Sequence, residues 1–366
     1  MALTQIKQSN IDSGFSPSYR NLIINGAMQI DQRGSASSAI ASAGGRVYSV
    51  DRFAMGKYGG STAGFNGQQV SVTGAGSFDK ALKCTVTSAV SPSGDQANLI
   101  AYLIEGQDWE RLQYKTADAK TITISFWVRS SVTGTYCVAI TDSTNSIGYA
   151  AEYTINTADT FEFKTITISG YTGAGGTWNT YNNTGAAIAW GLGAAGSRLI
   201  TGNTWTSTVT TPIGTSNQTN WVATSGATFY ITGVQLEVGE AATSFEHRPY
   251  GTELALCQRY FQVHSDTTNI ALPTAVATSG TALNLSLALP VTMRASPSLY
   301  STLSATDKFR ANTNIDRNTN NNPSLGNASG SIVNLNFDGW SGFTTGYAAT
   351  VRRFTATGVL GFDAEL

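Results

Sequence analysis

Residues 121–130, TITISFWVRS, constrain the chain more than any other stretch. In an extended backbone Ile122, Ile124, Phe126 and Val128 fall on one side, and Thr121, Thr123, Ser125, Trp127 and Arg129 on the other. Such alternation predicts a strand with one buried face, and that face needs a second layer to cover it. TYCVAIT (135–141) follows a four-residue Ser-Val-Thr-Gly break and reads as the hairpin partner of 121–130. Further strand candidates are FEFKTITIS (161–169), AAIAWGL (186–192) and TFYITGVQLEV (228–238). Short strands between Gly/Ser/Asn turns predict an all-β antiparallel sandwich rather than an α/β fold.

Composition points the same way. Charged residues are 12% of the chain, against about 25% in ordinary soluble domains. Thr, Ser, Asn and Gly replace them, which suits strands and tight turns and suits long helices badly. The formal charge is −1, and no basic stripe is present to neutralise phosphates, so nucleic acid is not an expected partner. No apolar run approaches the roughly 20 residues of a spanning helix, so membrane insertion is not expected either. The start, MALTQIKQSN, lacks the apolar core of a secretion signal. Cys84, Cys137 and Cys257 are odd in number and far apart; they read as small buried thiols, with no metal spacing among them.

Two segments have helical character. GQDWERLQY (106–114) makes a turn or two, and TELALCQRYF (252–261) places Leu256, Cys257, Tyr260 and Phe261 on one stripe, with Thr252 as N-cap and Glu253 in the first turn. Pro249-Tyr250-Gly251 marks a boundary before it. The expected organisation is an arm at 1–20, a sandwich over 21–250, a linker helix at 251–262 and a smaller C-terminal β domain over 263–366. In that last part TALNLSLALPV, SIVNLNFDG, YAATVRRFTATG and LGFDAEL resume the strand pattern, and the Asn-rich 312–327 reads as a loop.

Four segments, NLIINGAMQIDQRG (21–34), YSVDRF (48–53), ISFWVRSS (124–131) and ITGVQLEVGEAATSFEHRPYGTELALCQRYFQ (231–262), resemble bacteriophage tail-fibre and receptor-binding proteins that contain a carbohydrate-binding-module-like jelly roll. The resemblance spans roughly 21–262; residues 263–366 carry no comparable motif. It implies a jelly-roll sandwich in which NLIING and VQLEV lie together as first and last strands. It also implies a homotrimer in the virion and recognition of host-surface polysaccharide. With neither a long docking domain nor a self-cleaving C-terminal chaperone in the sequence, attachment to other phage tail or virion proteins is expected through the short arm. A head-decorating fibre or structural adaptor is the alternative.

Trp127 stands on the polar side of its strand, where an indole either stacks against a sugar ring or packs under a loop or at a subunit contact. Trp178, Tyr181, Trp205 and Trp221 lie in the Gly/Thr/Asn-rich 170–227 region, amid amides and hydroxyls suited to sugar hydroxyls. These five are the glycan-binding candidates, each weighed against a role anchoring its own loop. Gln235 and Glu237 share a strand face where related jelly rolls hold Ca²⁺, but an early acidic residue is missing, so no metal or cofactor is expected. Glu246, His247 and Arg248 read as an ion-paired surface, and no Ser-His-Asp order, HExxH or phosphate loop is present. Glycoside cleavage needs two carboxyl groups roughly 5–10 Å apart. The local pairs Asp108/Glu110 and Asp159/Glu162 support a depolymerase only weakly, so a non-enzymatic protein is expected.

Overall fold

In the computed structural model, Ile122, Ile124, Phe126 and Val128 turn inward from one strand and meet Ile100, Tyr102, Ile104, Val138, Ile140, Ile188 and Trp190 in a single core. The structure describes residues 19–34, 38–39, 45–207, 210–265, 271–303, 309–312, 316–319, 323–353 and 358–366. Residues 1–18 of the expected arm lie outside them. The chain divides into two units, Met1–Gln29 with Ser35–Pro249, and Ile30–Gly34 with Tyr250–Leu366.

The first unit is a jelly-roll-type antiparallel β-sandwich. Among the described residues one sheet has six strands in the order β1 (Ser38–Ala39), β4 (Gly64–Ala75), β5 (Phe78–Ser88), β13 (Thr228–Val238), β7 (Ile122–Ser130) and β10 (Glu162–Ile168). The other has seven: β12 (Thr206–Ser207), β9 (Ile147–Ile155), β8 (Gly134–Asp142), β11 (Thr184–Ala194), β6 (Ala97–Glu105), β3 (Phe53–Tyr58) and β2 (Arg46–Val50). Each large aliphatic side chain buried between them contributes about 1.5–3 kcal/mol. A short helix, α1 (Gly106–Trp109), with a 3₁₀ turn at Glu110–Leu112, follows β6.

β7 and β8 are not a hairpin. β7 pairs with β10 and β13, whereas β8 pairs with β9 and β11 in the opposite sheet. The reason lies in the sequences: β7 is apolar on one side, while Tyr136–Asp142 of β8 is buried on both. A strand buried on both faces belongs inside a covered sheet, so the link after Ser130 passes from one sheet to the other. The outer face of β8 is covered by its own layer, in which Ala139, Ala150 and Ala189 meet Leu199, Ile200 and Ile213.

NLIING does lie beside the last strand, but as a turn rather than a strand. The Leu22 N–H donates to the Leu236 carbonyl at 2.8 Å and the Val234 N–H to the Gly26 carbonyl at 2.9 Å. Asn25 and Met28 take left-handed backbone (φ 60° and 56°), which breaks any ladder. Gly26 is required because a Cβ there would run into the Val234 carbonyl.

Residues 243–248 complete this end of the sandwich. Glu246 accepts from the backbone N–H groups of Tyr19 (2.8 Å), Arg20 (3.2 Å) and Asn21 (2.8 Å). Arg248 donates to the carbonyls of Ile23 (3.1 Å) and Asn21 and pairs with Glu246 at 3.4 Å. Glu246 and Arg248 thus clamp the incoming chain, with Arg248 largely buried rather than on an open surface.

The second unit starts with α2 (Tyr250–Gln258), which buries Cys257. Because the helix begins at Tyr250, Thr252 is inside it and is not the N-cap. Its described strands are β14 (Phe261–Ser265), β15 (Ala271–Ala277), β16 (Leu283–Ala288), β17 (Ser298–Ser301), β18 (Phe309–Asn312), β19 (Asp316–Thr319), β20 (Ser324–Ala328), β21 (Ile332–Phe337), β22 (Ala348–Arg353) and β23 (Leu360–Asp363). They form sheets β14-β23-β17 and β19-β18-β22-β15-β16-β21-β20 around Leu285, Leu335, Phe337, Phe309, Val351 and Phe362. The Asn-rich 312–327 is therefore not simply a loop, since β19 and β20 run through it. Residues 30–34 contribute Arg33, whose guanidinium lies 3.7 Å from the Phe261 ring centroid and bonds Asp363 at 3.1 Å.

Candidate functional site

The polar face of β7 is the outer face of the six-stranded sheet, and register decides what stands beside Trp127 there. Trp127 faces Phe163 on β10 and Thr232 on β13. Its ring lies 5.5 Å from that of Phe163 at 45°, and Phe163 is 48% exposed. One step along the strand, Arg129 faces Tyr230, which in turn faces Lys83 of β5, and Lys83 faces Gln68 of β4. The Arg129 guanidinium is 3.7 Å from the Tyr230 centroid and 4.8 Å from that of Phe161. Two cross-strand rows of aromatic and polar groups thus lie side by side on one sheet face.

A cavity of about 360 Å³ opens beside Trp127 and Phe163. Phe78 and Phe245 supply further rings, while Ser77, Ser125, Thr243 and Ser244 bring hydroxyls. Its shape depends on a bulge in β13, where the register slips between Thr232 and Gln235. Gly233 sits in that bulge at φ 61°, and a Cβ there would strike the Phe78 ring. Phe78 packs edge-on against Phe245 (4.8 Å, 86°), and His247 stacks on it (5.7 Å, 27°). An open apolar surface rimmed by hydroxyls can take a flat, polyhydroxylated ligand face to face.

The other four predicted rings do not join Trp127. Trp178 and Trp205 come together in a cluster with Trp109, Tyr114, Tyr149 and Tyr171. Trp178 stacks on the buried Trp109 (5.5 Å, 11°), and the Trp205 indole N–H donates to the Ser169 carbonyl at 2.9 Å. Both are half-buried and pack against the core. Trp221 is fully buried between Phe65 and Phe229, so it is a core residue and not a surface platform. Tyr181 is the exposed one, 76% open to solvent on its loop. The Gly/Thr/Asn-rich region therefore folds over the sandwich and contributes to its core, contrary to what its polarity suggests.

Several acidic groups are engaged in local structure. Asp142 accepts from the backbone N–H groups of Ser146 (2.7 Å), Ile147 (2.9 Å) and Thr177 (2.7 Å), tying the 170s loop to the β8–β9 turn. Glu237 accepts from the Gln235 side chain (2.8 Å), the Thr243 N–H (2.8 Å) and the Thr243 hydroxyl (2.6 Å), and pairs with Arg20 at 3.1 Å. Gln235 and Glu237 thus hold the 243–246 segment, and no group of three His, Cys, Asp or Glu suited to a metal is found among the described residues. Glu162 accepts from the N–H groups of Asn156 and Thr157 and from Lys164 at 2.6 Å. Burial pushes its pKa upward, but these donors outweigh it and hold the carboxyl down at about 2. A second cavity, of about 690 Å³, is lined by Glu152, Leu199, Thr201, Thr215, Ser216 and Asn217. There Glu152 accepts from Thr215 (2.5 Å) and Asn217 (3.0 Å).

Sequence reasoning found Trp127 and missed its neighbours. Phe161 and Phe163 were visible as an alternating pair in FEFKTITIS, on the face opposite Ile166 and Ile168. Tyr230, Lys83, Phe78 and Phe245 carried no local signal, because only long-range pairing brings them to Trp127.

No protein-family model matches the chain, and no curated protein matches it. Among solved structures it is similar to the enzymatically active domain of tailspike protein 4 of bacteriophage CBA120, at 13% identity and a TM-score of 0.31, over 60% of this chain and 22% of that one. The match thus spans about a fifth of that domain's chain. It is similar to a family 4 carbohydrate-binding module, at 16% identity and a TM-score of 0.29, over 59% of this chain and 98% of the other. A protein of Bacteroides thetaiotaomicron to which sugar binding has been ascribed matches at 10% identity and a TM-score of 0.30, over 60% and 100% of the two chains.

Proposed function

We propose that this chain is a non-catalytic virion protein of the tail-fibre or receptor-binding type, whose sandwich recognises host-surface glycan on the outer face of the six-stranded sheet. One observation carries the reading: Trp127 and the half-exposed Phe163 flank an open cavity whose other walls alternate rings with hydroxyls. An aromatic surface left open in water is unfavourable unless something covers it in use, and sugar rings offer matching C–H faces with hydroxyls around the edge. Assembly as a homotrimer would convert weak single-site contacts into avidity. The resemblance of the four sequence segments to phage fibre proteins supports the virion setting.

The test is a glycan array probed with the full chain and with W127A. Binding by the wild type and its loss in a W127A chain of unchanged melting temperature is the expected result. Absence of any glycan binding by the wild type, in whatever oligomer it forms, overturns the reading.

A second reading, a structural fibre or head-decorating adaptor, is favoured by Trp178, Trp205 and Trp221, which are largely occupied within the unit itself. On that reading the Trp127 face is covered by a partner chain in the virion, and a virion map would find it inaccessible.

A further inference from the structure

We infer, resting on the preceding reading, that the glycan taken by the Trp127 face carries an anionic group, a carboxylate or a sulfate, received by Arg129 and Lys83. Both cations lie over the same ring, Arg129 at 3.7 Å and Lys83 at 5.6 Å from the Tyr230 centroid. Neither side chain has a hydrogen bond or ion pair among the described residues, and the Arg129 Nε is buried without a partner. By contrast Arg20, Arg33 and Arg248 each meet a carboxylate within 4.0 Å. Two like charges held over one ring, with no counter-charge, repel each other and attract an anion.

The geometry suits a saccharide in particular. Arg129 is two residues from Trp127 on the same face, a step of about 7 Å along the strand. Phe163 on β10 and Phe161, just before that strand, follow the same step, and Phe161 lies 4.8 Å from the Arg129 guanidinium, so the rings continue from the cavity to the cations. A sugar stacked on Trp127 and Phe163 can therefore direct an acidic substituent, its own or that of the next residue, toward Arg129. The Tyr230 and Phe161 rings, set at 72° to each other, both lie against the guanidinium and limit where it can point, which leaves its terminal N–H groups for a bidentate acceptor. Lys83, with a compact ammonium, supplies a second point of charge from the other side of Tyr230.

The test uses the full chain against uronate-bearing and sulfated polysaccharides, each beside its carboxyl-reduced or desulfated form. Wild type, R129Q, K83Q, R129K and W127A are compared, with oligomeric mass and melting temperature recorded for each. Anionic forms are expected to bind, their neutralised forms far less. R129Q should weaken the anionic ligand about ten- to a hundredfold, as loss of a charge-assisted bond does. R129K, which keeps charge but not the fork, should fall between, and whichever of carboxyl reduction or desulfation abolishes binding identifies the acidic group. Equal binding of native and neutralised forms, still lost in W127A, overturns the anionic ligand and leaves glycan recognition standing. No binding of any polysaccharide overturns both. A change in oligomeric mass in R129Q or K83Q assigns the face to a subunit contact and overturns the inference.

Discussion

Replacing Trp221 separates a ring that holds the sandwich together from one that faces outward. Its indole is wholly buried and packs edge-on against Phe65 (6.1 Å, 87°) and Phe229 (6.2 Å, 73°). Truncating such a ring to Ala removes its transfer free energy and leaves a cavity, about 3–5 kcal/mol in all. That is a large part of the roughly 5–15 kcal/mol that keeps a domain folded. The Trp221 indole N–H is buried with no partner among the described residues, so W221F loses no hydrogen bond and only part of the packed surface. Its cost should be about 1–2 kcal/mol. Trp127, on the outer face and partly exposed, should cost less than about 1 kcal/mol as Ala. Urea unfolding followed by intrinsic fluorescence and circular dichroism gives the midpoints, and the first unit's transition is the one to read, because two units need not unfold together. The expected order of destabilisation is W221A, then W221F, then W127A, with glycan binding lost only in W127A among the chains that remain folded. A W221A chain of near-wild-type stability that has lost binding would refute both the burial argument and the choice of sheet face.

Two further perturbations probe the frame around the site. Gly233→Ala forces a side chain onto left-handed backbone and into the Phe78 ring, which should cost about 2–4 kcal/mol. It should also weaken glycan binding by moving that wall of the cavity, and wild-type stability with wild-type binding would show that the bulge does not set the cavity's shape. Glu162→Gln tests electrostatics: the folded-state pKa of about 2 lies below the ordinary 4.5, so the carboxylate stabilises the fold above about pH 4.5 and loses that contribution as pH falls toward 2. The difference in melting temperature between wild type and E162Q should therefore be full at neutral pH and close across that window; a difference independent of pH would contradict the assignment.

What was legible in the sequence follows the range of the interaction. Period-two alternation is local, so β7, β10 and β13 could be read within a residue or two, and Trp127 could be assigned to the polar side of its strand. Pairing is not local. TYCVAIT follows β7 closely enough to suggest a hairpin, yet burial on both faces sends it to the opposite sheet. Nor is loop burial local: Trp221 sits among Asn, Thr and Ser in the chain but among Phe65 and Phe229 in space. An indole in a polar loop has two ways to satisfy its apolar area, an external ligand or the domain's own core, and the flanking residues are the same in either case.

The same distinction explains why Arg129 carries no local signal as a binding group. In TITISFWVRS it is one more polar residue on an outward face, and a lone arginine there is normally solvated or paired. Its significance comes from cross-strand register. β13 sets Tyr230 beside it, and β5, more than forty residues earlier in the chain, adds Lys83 on the far side of that ring. Alternation fixes the side of a sheet on which a residue stands, but the ladder of long-range pairs fixes its neighbours. A sheet-face site in this fold is therefore specified by both: a two-residue slip of β13 against β7 should part Arg129 from Tyr230 and Lys83 while leaving Trp127 paired with Phe163, because that pair depends on the β7–β10 register alone.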